Sequence, residues 1–207
     1  SQTGFCRLTK IKNSVATATI PSCNIHRFLS DVGDIFPFLV SGQNVIETSI
    51  NNTNPILHAP ITLFNLSRIE NGEDYSFYGT AASRCILDYA AKADRERIDI
   101  AQASGAKGES ALDILNGFWT DQYDNLYDAI KNNATYVAGK GPTSLQYRYI
   151  TEDIPYGIAP LVYLSKQLGV HAPRLSALLE MYNLLFDRDF MQDGPKLTED
   201  SLHAATE

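Results

Sequence analysis

Residues 147–157 read Tyr147-Arg148-Tyr149-Ile150-Thr151-Glu152-Asp153-Ile154-Pro155-Tyr156-Gly157. One cation, two acids and three tyrosines stand against a Pro/Gly break, and the apolar spacing turns helical just beyond it. Residues 157–168 fit a helix, with Pro160 tolerated in the first turn and Gly169 as its stop. Residues 172–186 fit another. Pro173 lies near its start, and Leu175, Leu178, Leu179, Tyr182, Leu185 and Phe186 form a wide apolar stripe.

Upstream of the break, residues 80–104 carry Ile86, Tyr89, Ala90, Ala93, Ile100 and Ala101 on one helical face, with Gly105 as the stop. Arg97 falls inside that stripe. It reads as an arginine snorkelling to a nearby acid or as a ligand for a substrate carboxylate. Residues 24–36 fit a short helix on Ile25, Phe28, Leu29 and Val32. Asn44–Ser49 reads as a strand. Residues 5–20 read as two short strands around an Asn13-Ser14 turn, a hairpin too small to stand alone. The expected fold is mainly α: a helical bundle over 23–190, a β-hairpin remnant of an adjoining sheet domain over 1–22, and a polar tail over 191–207.

The chain has 207 residues, a formal net charge of -7 and a pI near 5.1. That charge argues against sequence-independent nucleic-acid binding, which needs a basic face. No apolar stretch approaches the ~20 residues that cross a bilayer, and the N-terminus carries no signal pattern. Cys6, Cys23 and Cys85 form no CxxC pair, so neither a disulfide scaffold nor a zinc site is expected. Free thiols fit a reducing, cytoplasmic setting. No His/Asp/Glu cluster has metal-ligand spacing, so no metal is expected.

The chemistry rests on a few residues. His58 lies in Asn54-Pro55-Ile56-Leu57-His58-Ala59-Pro60, where two prolines place it in a first or kinked turn. On pattern alone it is either a satisfied structural histidine or a proton-transfer group. Arg148 and Asp153 read either as an ion pair closing the loop or as two working groups. In the second reading Arg148 holds an anion, and Asp153 orients a histidine, with Glu152 as a rival for that role. His26, His171 and His203 are weaker candidates. Trp119, Tyr123 and Tyr127 are core residues or a pocket lining. The glycines of Ala138-Gly139-Lys140-Gly141-Pro142 match no nucleotide-binding loop.

Four words occur in order: Asn54-Pro55-Ile56-Leu57-His58, Asp94-Arg95-Glu96-Arg97-Ile98, Arg148–Gly157 and Gly169-Val170-His171-Ala172-Pro173. Over roughly residues 5–186 the set resembles the helical substrate domain of the opine dehydrogenases, the octopine/nopaline dehydrogenase family. The resemblance implies reductive condensation of an amino acid with a 2-oxo acid, with NAD or NADP held by a Rossmann domain in cis. It implies that His58 and Asp153 are the catalytic pair and that Arg148 binds a cofactor or substrate anion. The glycine-rich dinucleotide loop is missing from the chain. It therefore reads as an engineered truncation, a proteolytic remnant or a gene fragment, inactive alone. Two other readings stay open: a non-catalytic module for amino-acid binding or dimerisation, and part of a 2-hydroxy-acid or ketopantoate-type dehydrogenase. Oligomeric state stays open as well, a homodimer included.

Overall fold

The computed structural model describes residues 12–118 and 121–195. Two short strands and twelve α-helices succeed one another in these segments. They are β1 (Val15–Thr17), α1 (Ile25–Val32), β2 (Leu39–Ser41), α2 (Val45–Ile50), α3 (Asn54–Leu63), α4 (Leu66–Glu70) and α5 (Arg84–Ala103), followed by α6 (Ala111–Phe118), α7 (Leu126–Lys131), α8 (Ala134–Val137), α9 (Arg148–Thr151), α10 (Ala159–Gln167), α11 (Pro173–Phe186) and α12 (Phe190–Asp193). Two π-helical turns interrupt the α-pattern, at Phe77–Ala81 and Ile154–Ile158. The fold is mainly α, as the sequence implies.

The β-structure adds one pairing to what was expected and moves one strand. β1 pairs in parallel with β2, Val15 opposite Leu39 and Thr17 opposite Ser41. Parallel strands need a crossover, and α1 lies between these two. The expected hairpin partner, residues 5–11, lies outside the described residues. The expected strand at Asn44–Ser49 is instead helix α2. The Asn44 side chain accepts the Glu47 backbone N–H at 3.0 Å, so it caps the helix start and outweighs the β-branched residues that follow. The strand lies just upstream, at Leu39–Ser41.

Helix α3 is the centre of the bundle. Pro55 to Thr62 are all buried, as expected of a helix that is apolar on every side. Ile56 and Ala59 join a core with the Ile154–Ile158 turn, α10 and α11. Leu57 and Ile61 join a second core with Phe77, Tyr78, α6 and α7. Helix α5 divides its face the same way, sending Ala93, Ile100 and Ala101 to the first core and Leu87 and Ala90 to the second. Ser83 caps α5 by accepting the Ile86 N–H, and Gly105 ends it with a positive φ of 77°.

The C-terminal end also differs from expectation. Leu185 is exposed, together with Met181 and Leu184, while Leu175, Leu178, Leu179 and Tyr182 face the core. The stripe is narrower than its spacing suggested. The segment after Asp187 does not leave the body at once. Phe190 opens α12 fully buried and stacks edge-on against Tyr182 and Phe186. Residues 196–207, including His203 and most of the expected tail, lie outside the described residues, as does Trp119.

Candidate active site

Two prolines and a glycine place His58. Pro55 sits in the first turn of α3 and Pro60 lies inside the helix, so His58 falls in the second turn and not the first. Gly157 packs directly on Pro55: a Cβ at position 157 would overlap the Pro55 ring. Only glycine lets the π-turn at 154–158 approach the start of α3 this closely. Asp153, the residue before that turn, is thereby carried against the helix. Its Oδ2 lies 2.7 Å from His58 Nδ1, with the two side chains 12% and 6% exposed. A carboxylate can only accept, so the imidazole N–H sits on Nδ1 and leaves Nε2 as an acceptor in the neutral ring.

Nε2 is also occupied. The Tyr78 hydroxyl lies 2.8 Å from it, and donates to the neutral ring. Tyr78 belongs to the other π-turn, which is pinned from two sides. Ser76 Oγ accepts the Gly79 N–H at 2.8 Å, and Lys131 Nζ donates to the carbonyls of Tyr78 and Gly79 at 2.9 and 2.6 Å. Both π-turns therefore flank one histidine, a setting in which such local departures from α-geometry recur. Tyr149 stacks on the imidazole with centroids 3.8 Å apart and planes 29° apart, and Phe77 meets it edge-on at 5.7 Å. The result is a histidine sealed in aromatic rings and held at both nitrogens.

The electrostatics follow from burial. Burial pushes the Tyr78 phenol well up from its usual range; the neighbouring Tyr149, Tyr136 and Asp153 add to the shift and Arg148 opposes it. Burial also raises the Tyr149 phenol to about 12, assisted by Tyr147, Asp153 and Tyr75 and opposed by Arg148. Desolvation disfavours each phenolate, so both rings stay neutral hydrogen-bonding groups across the physiological range.

The sequence candidates sort accordingly. Asp153, not the exposed Glu152, meets His58. Arg148 does not pair with Asp153. It opens α9 with an exposed guanidinium that makes no side-chain hydrogen bond or ion pair among the described residues. His26 and His171 are exposed. Tyr123 and Tyr127 pack against the second core. Arg97 does not snorkel. It is fully buried, with donors to Asp94, Ile50 O, Asn51 and Glu109 O, so no donor remains for a substrate. Sequence reading passed over Tyr78, Phe77 and Lys131. The only local signal was Ser76-Phe77-Tyr78-Gly79, a capping serine three residues before a glycine with two aromatics between.

A cavity of about 540 Å³ opens beside this arrangement. Leu57, Tyr78, Leu115 and Tyr136 line it from the helical part, and Val15, Ser41 and Gly42 line it at the strand pair and just after it. This is the size of a small-molecule site. It is bounded by both the helical bundle and the strands.

Residues 41–186 match the alpha-helical domain of the NAD/NADP octopine/nopaline dehydrogenases. The chain belongs to that family. It is 30% identical over 203 residues to an opine dehydrogenase of Arthrobacter sp. (strain 1C), across 98% of this chain and 56% of that protein. It is 27% identical to a vitopine synthase of Allorhizobium ampelinum (strain ATCC BAA-846 / DSM 112012 / S4), across 68% of this chain and 40% of the relative. The chain thus spans about half the length of the curated relatives it matches. An octopine dehydrogenase solved with NADH and agmatine superposes with a TM-score of 0.67 at 18% identity, over 96% of this chain and 56% of that one. The same kind of enzyme solved with NADH and L-arginine gives 0.64 at 19% identity, over 84% and 48%. These likenesses establish the family's helical fold. Among the described residues, no helix is long and apolar enough to cross a membrane.

Proposed function

We propose that this chain is the substrate-binding and acid/base part of an NAD(P)-dependent opine dehydrogenase, which joins the amine of an amino acid to a 2-oxo acid by reductive condensation. The observation that carries the reading is the buried histidine held between a carboxylate and a phenol, inside a chain of this family. Asp153 keeps the Nδ1–H tautomer and stabilises the imidazolium when His58 takes a second proton. His58 removes a proton as the amine adds to the oxo acid and returns one as water leaves the carbinolamine. The rings of Tyr149 and Phe77 exclude water from the imidazole, so the exchanged proton goes to substrate and not to solvent.

NADH or NADPH, when bound, supplies the hydride that reduces the resulting imine. Arg148 fits such a group, because it is exposed beside Tyr149 and makes no side-chain hydrogen bond or ion pair among the described residues. It would hold an anionic part of the cofactor or of the substrate by a bidentate contact. The 207 residues contain no glycine-rich dinucleotide loop, so turnover is expected only together with a dinucleotide-binding domain. Relatives solved with L-arginine, agmatine and pyruvate support an amine and a 2-oxo acid as the substrate classes.

The test is carried out on the full-length protein. NADH and NADPH oxidation is followed with pyruvate or 2-oxoglutarate and a panel of amino acids, beside a His58→Ala variant. Amino-acid-dependent oxidation that falls on the order of 10²–10⁴-fold in the variant is the expected outcome. Oxidation that needs no amine would assign the protein to 2-hydroxy-acid or ketopantoate-type chemistry. Amino-acid binding without turnover would make it a binding module.

A further inference from the structure

We infer that Tyr78 is the group that passes the proton between His58 and the substrate, so that Asp153, His58 and Tyr78 act as one relay ending at the cavity wall. The inference rests on the acid/base reading of His58 given above and extends it by one residue. His58 is 4% exposed and both of its ring nitrogens are engaged, Nδ1 by Asp153 and Nε2 by Tyr78. His58 is absent from the lining of the 540 Å³ cavity, whereas Tyr78 is part of it. Of the two groups bonded to the imidazole, only Tyr78 also lines that space.

Tyr78 is built as a fixed element and not as a plug that swings aside. Lys131 holds its carbonyl and the next one, Ser76 holds the turn, and the ring packs edge-on against Phe77 at 5.0 Å and Tyr136 at 5.1 Å. Its hydroxyl stays protonated in the resting protein because burial disfavours the phenolate. A neutral phenol can receive a proton on one side while giving up its own on the other, so it need not ionise to conduct.

In the dehydration step, the imidazolium N–H moves from Nε2 to the Tyr78 oxygen. The Tyr78 proton moves in concert to the carbinolamine hydroxyl. The C–O bond breaks and water leaves. The nitrogen lone pair closes the C=N bond, giving a cationic imine, and His58 is left neutral. Before addition, the substrate's ammonium group gives one proton to Tyr78 as Tyr78 passes its own to His58 Nε2. The free amine then adds to the carbonyl carbon, and one of its two remaining N–H protons moves to the carbonyl oxygen to form the carbinolamine hydroxyl. His58 is left protonated for the dehydration.

The experiment compares Tyr78→Phe, His58→Ala and a protein carrying 3-fluorotyrosine at position 78, all full-length, by single-turnover oxidation across pH. The relay predicts that Tyr78→Phe lowers the rate about 100-fold while KM stays within roughly threefold. 3-Fluorotyrosine, similar in size but more acidic, is expected to restore much of the rate and to alter its pH profile. A lost hydroxyl with a merely structural role would not move the pH profile. Tyr78→Phe with native rate and profile beside an inactive His58→Ala overturns the relay and leaves the His58 reading intact. Native turnover in His58→Ala overturns both. If Tyr78→Phe does not fold, the fluorotyrosine protein decides: a native pH profile there overturns the relay, and a shifted one supports it.

Discussion

Two acids on this chain each hold a buried partner, and they do so to different ends. Asp94 holds Arg97 beneath the α2–α6 junction, and Asp153 holds His58 between the two cores. The Arg97 guanidinium makes five donor contacts inside the protein. Nε and Nη2 reach Asp94, Nη1 reaches Ile50 O at 2.9 Å and Asn51 at 3.0 Å, and Nη2 also reaches Glu109 O. Asp94 spends its second oxygen on the Ala111 N–H that starts α6. Every donor is satisfied, so the cluster can only hold parts together. The Asp153–His58 pair is bonded onward to Tyr78, a residue that lines a cavity. Saturation marks Arg97 as structural; the pair that reaches a cavity is the one proposed above to carry chemistry.

The comparison can be broken most severely at Arg97. Arg97→Met should cost about 3–5 kcal/mol in urea unfolding, because it strands the buried Asp94 carboxylate. A loss below about 1 kcal/mol would mean the network is not structural. Asp153→Asn should reverse the balance. Turnover in the full-length protein is expected to fall on the order of 10²-fold, with a much smaller change in the unfolding midpoint than Arg97→Met produces. Equal stability losses at the two sites would erase the distinction.

Gly157→Ala sharpens the geometric half of the argument. Its methyl must push the π-turn away from Pro55, at about 1–3 kcal/mol. Turnover should fall with it, since the same movement lengthens the Asp153–His58 bond. A variant that loses stability but keeps native kcat would show that the bond does not depend on this approach. The smallest effect concerns the ring stacked on His58. The Tyr149 phenol is raised in the folded state from an ordinary 10 to about 12. The folded protein therefore binds this proton more tightly than the unfolded chain. Its contribution is fully present below pH 10 and is lost as pH climbs toward about 12. Tyr149→Phe should flatten the fall in stability over that window, as read by denaturation at a series of pH values. An unchanged alkaline slope would refute it.

The helical half of the fold was legible because its signals are local. Pro173 and the Leu175–Tyr182 spacing define α11, and Gly105 and Gly169 mark ends that the structure keeps with positive φ. Asn44–Ser49 misled because β-branched residues were weighed above an asparagine cap, although the cap meets the helix backbone directly. Leu185 misled because helical spacing gives a direction but not the width of the partner surface.

His58, Asp153 and Arg148 were each visible as residues, yet the sequence left open whether Arg148 paired with Asp153 and whether Glu152 replaced it. Ninety-five positions separate His58 from Asp153, and no local rule spans that interval. Folding settled it by packing a glycine-bearing π-turn on Pro55, which brings one acid inward and leaves its neighbour and the arginine exposed. Tyr78 was decided by tertiary structure alone. Its only mark in the sequence is a short aromatic run, and its role arises from where a pinned turn delivers one hydroxyl. Caps and periodicity determined which segments are helical, because those depend on neighbours along the chain, and the four ordered motifs carried the family resemblance. The partners of His58 depend on neighbours through space, and only the packed bundle supplies them.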